Sequence, residues 1–331
     1  MKPVSIIIPC RNEEKTIDYL LHAILQQTYP LDQMEVVIAD GMSSDNTRRI
    51  IFAFQETHPE LAIHVVDNPK MHIPSALNLA LKAAKGFYIV RLDAHSVPKP
   101  DYIEKCVNWL ELGKAENVGG IWIIKPSAAS WIARSIAAAA SNPIGVGNAQ
   151  YRYSNKAAYV DTIPFGAYRH DLFDQIGGFN ENLLSNEDYE FNERIRRAGG
   201  KVWLDPEIQC EYYARPNLSS LAKQYWRYGF WKFQMLKHFP TSIKWRQLLP
   251  PTFIIGLFGL MVASVFFYLA KYLLGIIIFL YLAVLLIASL PMVTKEKYPP
   301  YLAGIPLSIM TMHFSWGAGF LSSLLRSLFR K

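Results

Sequence analysis

Between Thr252 and Thr294 the chain carries a single charged residue, Lys271. A stretch that apolar must be buried in protein or in lipid, and its length points to lipid. Lys271 divides it into residues 252–270 and 273–292, each about 20 residues, enough as helix to cross a hydrocarbon core of ~30 Å. Lys271-Tyr272 is then the expected hairpin tip, with the lysine reaching to the headgroups. A third apolar stretch, about 301–320, contains Pro306 and His313 and can span, re-enter or lie flat; spanning would put the basic C-terminus outside, so a non-spanning or re-entrant course is expected. Its continuation to Lys331 alternates leucines with arginines, as in an interfacial helix. Lys232, Lys237, Lys244 and Arg246 precede the first span, and Lys295 and Lys297 follow the second. The positive-inside rule places residues 1–250 in the cytoplasm, against the cytoplasmic membrane.

The charge is distributed to match. From Arg215 onward thirteen basic residues meet one acid, Glu296, so the tail carries +12 of a net +7 and leaves −5 for residues 1–211. Basic excess beside apolar helices fits anionic lipid, and an acidic front excludes a nucleic-acid groove. With 51% of residues in the group AVILMFWYC and 18% charged, disorder is excluded. Cys10, Cys106 and Cys210 are odd in number and widely spaced, and read as reduced, buried thiols.

Residues 4–125 alternate strand and helix signals. The strand signals are Val4–Pro9, Glu35–Asp40, Ala62–Val66, Phe87–Asp93 and Val118–Ile124. Asn12 is placed to cap the helix after the first, Ser43-Ser44-Asp45 the helix after the second, and Pro74 and Pro100 open two more. The pattern predicts a mostly parallel, Rossmann-like α/β sheet with flanking helices, followed by a membrane helical region. Ligands of such sheets bind beyond the carboxyl ends of the strands, where Asp40 and Asp93 stand. There is no G-x-G-x-x-G or Walker A cradle.

Four segments carry chemistry. Asp40 ends a strand signal, where a carboxylate can accept from a base N–H or simply cap the turn. In Asp93-Ala-His95, i and i+2 on a strand end face the same way, so carboxylate and imidazole can share a divalent ion; imidazole favours Mn²⁺ over Mg²⁺. As an alternative, both belong to a turn. Glu187-Asp188 opens a helix after the turns Ile163-Pro-Phe-Gly166-Ala167 and Ile176-Gly-Gly-Phe179, which can shape a pocket; an acid there suits a general base, or merely the helix dipole. Gln224-Tyr-Trp-Arg227 puts two diphosphate-binding groups three apart on one helix, among aromatics that also suit a membrane interface.

In order and spacing these segments resemble the inverting family 2 glycosyltransferases over residues 4–235. Arg91–His95, Pro143–Gly147, Asp161–Tyr168 and Gln224–Gly229 resemble the succinoglycan-type exopolysaccharide glucosyltransferase group. The resemblance implies a GT-A catalytic domain over 1–217, interfacial helices over 218–250 and a membrane region over 251–331. It implies that Pro9, Arg11, Asn12 and Glu13 line a nucleotide-sugar whose base is read by Asp40. Asp93 would contact ribose or metal, and His95 takes a metal place usually held by aspartate. Asp188 would be the base with Glu187 beside it, Gln224 and Arg227 would face the diphosphate, and Gly166, Ala167 and Trp226 the acceptor. The implied reaction moves one sugar, glucose, from a UDP-sugar to a lipid-linked saccharide with Mn²⁺ or Mg²⁺. Tyr228 stands where processive synthases carry Trp, and the spans are too few for a polymer channel. The alternatives are direct glycosylation of polyprenyl phosphate, a processive synthase, and a non-catalytic membrane scaffold.

Overall fold

The computed structural model of the protein describes residues 1–329. Arg330 and Lys331, the end of the apolar-basic C-terminal segment, lie outside the described residues. By contact the chain forms two compact units, Met1–Ile123 with Ala149–Tyr212, and Ile124–Asn148 with the chain from Tyr213 onward.

The first unit begins β1 (Val4–Cys10), α1 (Ile17–Leu25), β2 (Met34–Asp40), α2 (Thr47–Thr57), β3 (Ala62–Asp67), α3 (Ile73–Ala83) and β4 (Tyr88–Arg91). A short β5 (Ser96–Pro98) and α4 (Tyr102–Glu111) follow, then β6 (Asn117–Pro126), whose last residues pass into the second unit. That unit takes α5 (Trp131–Ala140) and α6 (Pro143–Val146). The chain returns for β7 (Ala158–Tyr159), β8 (Ala167–Arg169), α7 (Asp171–Ile176), α8 (Glu187–Arg197) and β9 (Val202–Ala214). The second unit closes with α9 (Leu218–His238), α10 (Trp245–Phe266), α11 (Tyr268–Glu296) and α12 (Tyr301–Phe329).

Among the described residues the sheet runs β3-β2-β1-β4-β8-β6-β9-β5, with β7 on β9. The parallel part is β3-β2-β1-β4, built on the β-branched runs; β1 is buried at every position. Beyond β4 the pairing turns antiparallel, because β8 inserts between β4 and β6 and opposes both. Apolar positions Ile17, Leu20, Leu21 and Ile24 of α1 face inward at helical spacing, as the sequence predicts. All three cysteines are buried and unpaired in disulfides.

Two local expectations change. Asn12 does not cap α1, which starts after Thr16; its side chain turns to the loop after β2. Strand β4 stops at Arg91, since the carbonyl of Asp93 accepts from the N–H (2.9 Å) and hydroxyl (2.7 Å) of Ser96 and draws residues 93–96 into a turn. Strand alternation therefore does not govern Asp93 and His95.

In the second unit, α10 and α11 are long and apolar enough to cross a membrane, and their side chains are largely exposed. The break between them is Phe267, in extended conformation (φ −126°, ψ 122°), four residues before the expected tip. Lys271 lies instead in the first turn of α11, its Nζ 5.6 Å from the Tyr268 ring. The third apolar stretch forms one continuous helix through Pro306 rather than a re-entrant break. It packs along α9 at a very close crossing: a Cβ on Gly229 would strike the Trp316 carbonyl, and one on Gly319 the Trp226 carbonyl. Ser135 of α5 packs against Gly304, and Asn142 donates to the carbonyl of Ala288 (2.9 Å). The segment between β6 and the return of the chain thus belongs with the C-terminal helices.

Candidate active site

The register of the parallel strands sets the site. Cys10 pairs with Asp40 and Asp40 with Asp67, so β1, β2 and β3 end side by side, and the loops after them share one edge. Those loops are knitted together. The N–H of Asn12 donates to Ser43 Oγ (2.9 Å), and Asn12 Oδ1 accepts from the N–H of Ser44 (2.9 Å). The N–H of Glu13 donates to Thr47 Oγ1 (2.7 Å) and that of Glu14 to Asp45 Oδ2 (3.2 Å).

Asp40 is fully buried in this edge. It accepts from Ser43 Oγ (2.5 Å), Ser43 N–H (3.1 Å) and Arg48 Nε (2.6 Å), and Arg48 also reaches Asp67. Pro9 is buried within β1, and exposed Arg11 lays its side-chain carbons over Gly41. His95 Nδ1 stands 3.4 Å from Glu13 Oε1, joining the turn after β4 to the loop after β1.

The second focus is Arg91, at the end of β4. Its side chain is 4% exposed and forks onto two acids far apart in sequence. Nε and Nη2 each lie 3.2 Å from Asp93 Oδ1, and Nη2 donates to Glu187 Oε1 at 2.8 Å. Asp188 follows in the first turn of α8, its Oδ1 accepting from the N–H of Tyr189 (2.7 Å). Burial pushes the Asp188 carboxyl up to about 7; the charge of Glu187 adds to the rise and Arg91 opposes it. A carboxylate titrating there takes a proton near neutral pH, as a general base must. Contacts run from Asp40 through Ser43, Asn12 and Glu13 to His95, then along the turn to Asp93, Arg91, Glu187 and Asp188. Three of the four predicted segments therefore meet at one edge of the sheet.

Residues 5–177, more than half the chain, match the family described as Glycosyl transferase family 2. The chain belongs to that family. The enzyme is 28% identical, over 98% of both chains, to a Methanococcus voltae protein. That relative is named dolichyl N-acetyl-alpha-D-glucosaminyl phosphate 3-beta-D-2,3-diacetamido-2,3-dideoxy-beta-D-glucuronosyltransferase. It is 29% identical to the succinoglycan biosynthesis protein ExoA of Rhizobium meliloti, over 97% of this chain and 94% of that one. Its fold is shared with the mannosyltransferase PcManGT of Pyrobaculum calidifontis, solved with GDP-Man and Mn²⁺. The TM-score is 0.66 at 21% identity, covering 98% of this chain and 88% of the other. The family 2 glycosyltransferase thus has the GT-A fold.

The other site residues fall as follows in this glycosyltransferase. Gly166 and Ala167 are buried at the start of β8, where the Gly166 carbonyl accepts from the Arg91 N–H (2.9 Å). On α9, Gln224 is buried and donates to Tyr228 Oη (2.9 Å), whereas Arg227 is exposed, so the two do not share one environment. Trp226, 37% exposed, stacks on Phe230 with ring centroids 5.1 Å apart. These three belong to the second unit.

The residue types after β4 fit a divalent ion. Among the described residues no three His, Cys, Asp or Glu gather into a cage. Asp93 and His95, partly exposed at 19% and 34%, offer an oxygen and an imidazole, and a bound diphosphate would complete a set of the kind Mg²⁺ and Mn²⁺ take.

Sequence reasoning missed two features. Arg91 falls in a strand signal and in the Arg91–His95 segment of the resemblance but receives no role from either, though a charge inside a buried run is itself a signal. An aromatic group also stands beside His95: the Tyr212 ring lies 6.2 Å from it and stacks on Trp122 at 4.1 Å and 8°. The Arg152 guanidinium covers Trp122 at 4.7 Å. These residues come from three separate elements, and no local motif unites them.

Proposed function

We propose that this enzyme transfers one sugar, glucose, from a UDP-sugar to a lipid-linked saccharide by a single inverting displacement. The observation that carries the reading is Asp188: a carboxyl held near neutrality at a helix start, joined through Glu187 and Arg91 to Asp93 of the nucleotide edge. Asp188 takes the proton of the acceptor hydroxyl as that oxygen attacks the anomeric carbon. Pro9, Arg11, Asn12 and Glu13 line the nucleotide, with Asp40 behind them on the base side. Asp93 and His95 would hold Mn²⁺ or Mg²⁺, which when bound would supply positive charge beside the diphosphate. Gln224 and Arg227 are assigned to the diphosphate on the resemblance of Gln224–Gly229 alone. Trp226 meets the acceptor, and Gly166 and Ala167 shape its site by fixing the strand beside Arg91.

The acceptor assignment is supported by the two apolar helices and by the lipid-linked saccharide in the name of the Methanococcus relative. An anchored enzyme facing the cytoplasm, on a membrane containing anionic lipid, shares a surface with such an acceptor and meets it at raised effective concentration. The succinoglycan relative supports a place in exopolysaccharide or cell-surface glycan synthesis. The test is to incubate membranes containing the enzyme with radiolabelled UDP-glucose and other nucleotide-sugars, then extract lipids. Label in an extractable lipid-linked product extended by one sugar is expected. Label in long polymer, or in a polyprenyl phosphate monosaccharide, overturns the acceptor assignment, and transfer only from another donor overturns UDP-glucose.

A further inference from the structure

We infer that Arg91 is a positioning residue of the transfer reaction, with Glu187 as its anchor rather than a second base. The inference rests on the reading of Asp188 as the base. The guanidinium is rigid and planar, and here one edge of it holds acids 94 residues apart in sequence: Nε and Nη2 each reach Asp93 at 3.2 Å, and the same Nη2 donates to Glu187 at 2.8 Å. Its own backbone is pinned to Gly166 at 2.9 Å. The first turn of α8 therefore cannot shift without moving the turn that carries Asp93 and His95. Asp188 follows Glu187 in that first turn, with its Oδ1 on the Tyr189 N–H, so whatever fixes Glu187 fixes Asp188.

The energetics point away from a purely structural clamp. Arg91 and Glu187 are 4% and 7% exposed, and buried ion pairs are commonly matched or surpassed in stability by apolar replacements. Nη1 of Arg91 is enclosed and, among the described residues, meets no hydrogen-bond acceptor. One guanidinium also faces three carboxyls, of Asp93, Glu187 and Asp188. What the arrangement supplies is a fixed distance between the donor side and the base, and a misplacement of 1 Å at such a point costs about 100-fold in rate.

The experiment compares Arg91→Met/Glu187→Gln, Arg91→Lys and Asp188→Asn in the full-length enzyme. The double variant is expected to melt within about 5 °C of the parent. It should bind UDP within about threefold and lose about 100-fold in kcat, with KM for the donor changed only a few-fold. Arg91→Lys keeps the charge without the fork and should recover less than half of that loss on a logarithmic scale. A double variant with parental kcat, a loss confined to KM, or a fully active Arg91→Lys overturns the inference. Should the double variant not fold, Glu187→Gln alone decides: a kcat loss of about tenfold at unchanged melting temperature supports the anchor, and unchanged kcat refutes it. A fully active Asp188→Asn refutes the base assignment separately, whatever the Arg91 variants do.

Discussion

Replacing Asp188 by Asn should raise stability while abolishing transfer, and the gain should depend on pH in a defined way. The carboxyl moves from 3.8 to about 7, because burial and the neighbouring Glu187 penalise its ionised form. At 1.36 kcal/mol per tenfold, that corresponds to about 4 kcal/mol against the ionised fold. Linkage fixes the cost by that same shift, so the full value applies wherever the folded carboxyl is ionised. The sign follows from linkage. The folded state holds the proton more tightly than the unfolded chain, so the penalty is absent below about pH 4, grows between 4 and 7, and is full above 7. Asparagine keeps the volume and the acceptor for the Tyr189 N–H but never ionises. Thermal melts of detergent-solubilised parent and variant should coincide near pH 4. They should diverge above it, to about 10 °C in favour of the variant by pH 8. Transfer by the parent should rise tenfold per pH unit towards pH 7 and then level, while the variant loses roughly 100- to 10,000-fold. A variant less stable than the parent at pH 8, or a difference equal at pH 4 and pH 8, would refute the assignment of a destabilised carboxylate.

Two further outcomes follow from particular contacts. After chelation, turnover of the parent should be restored better by Mn²⁺ than by Mg²⁺, and His95→Asp should narrow that preference by exchanging an imidazole for an oxygen donor; a metal titration of turnover measures it. Gly229→Val should cost about 3 kcal/mol or more in thermal unfolding, since the new side chain meets the Trp316 backbone, whereas Gly256→Val, with nothing within 4 Å, should leave the melting temperature unchanged.

The parallel half of the sheet was legible because β1, β2 and β4 are rich in β-branched residues, and β1 and β2 are each followed by a helix with a clear apolar face. The antiparallel half was not. Strand β8 has three residues, too few for any periodicity, and β9 hides thirteen residues behind Pro206 and four acidic or amide side chains. The same distinction divides the site. Asp40, Asp93 and Asp188 announce themselves at strand or helix ends, where physical chemistry already expects a carboxylate to matter. Arg91 does not, because its importance lies in pairing with Glu187, 96 positions away, and no local pattern encodes that separation. The membrane unit shows a third kind of gap. The alanines at 137–140 carry no chemistry that marks them in the sequence, yet they and Ser135 pack with α12, so a segment internal to the catalytic half belongs with the C-terminal helices. The signal available was complementary smoothness: alanines in one segment and Gly304 in a distant one. Such smoothness says that something packs closely, and only the fold says what.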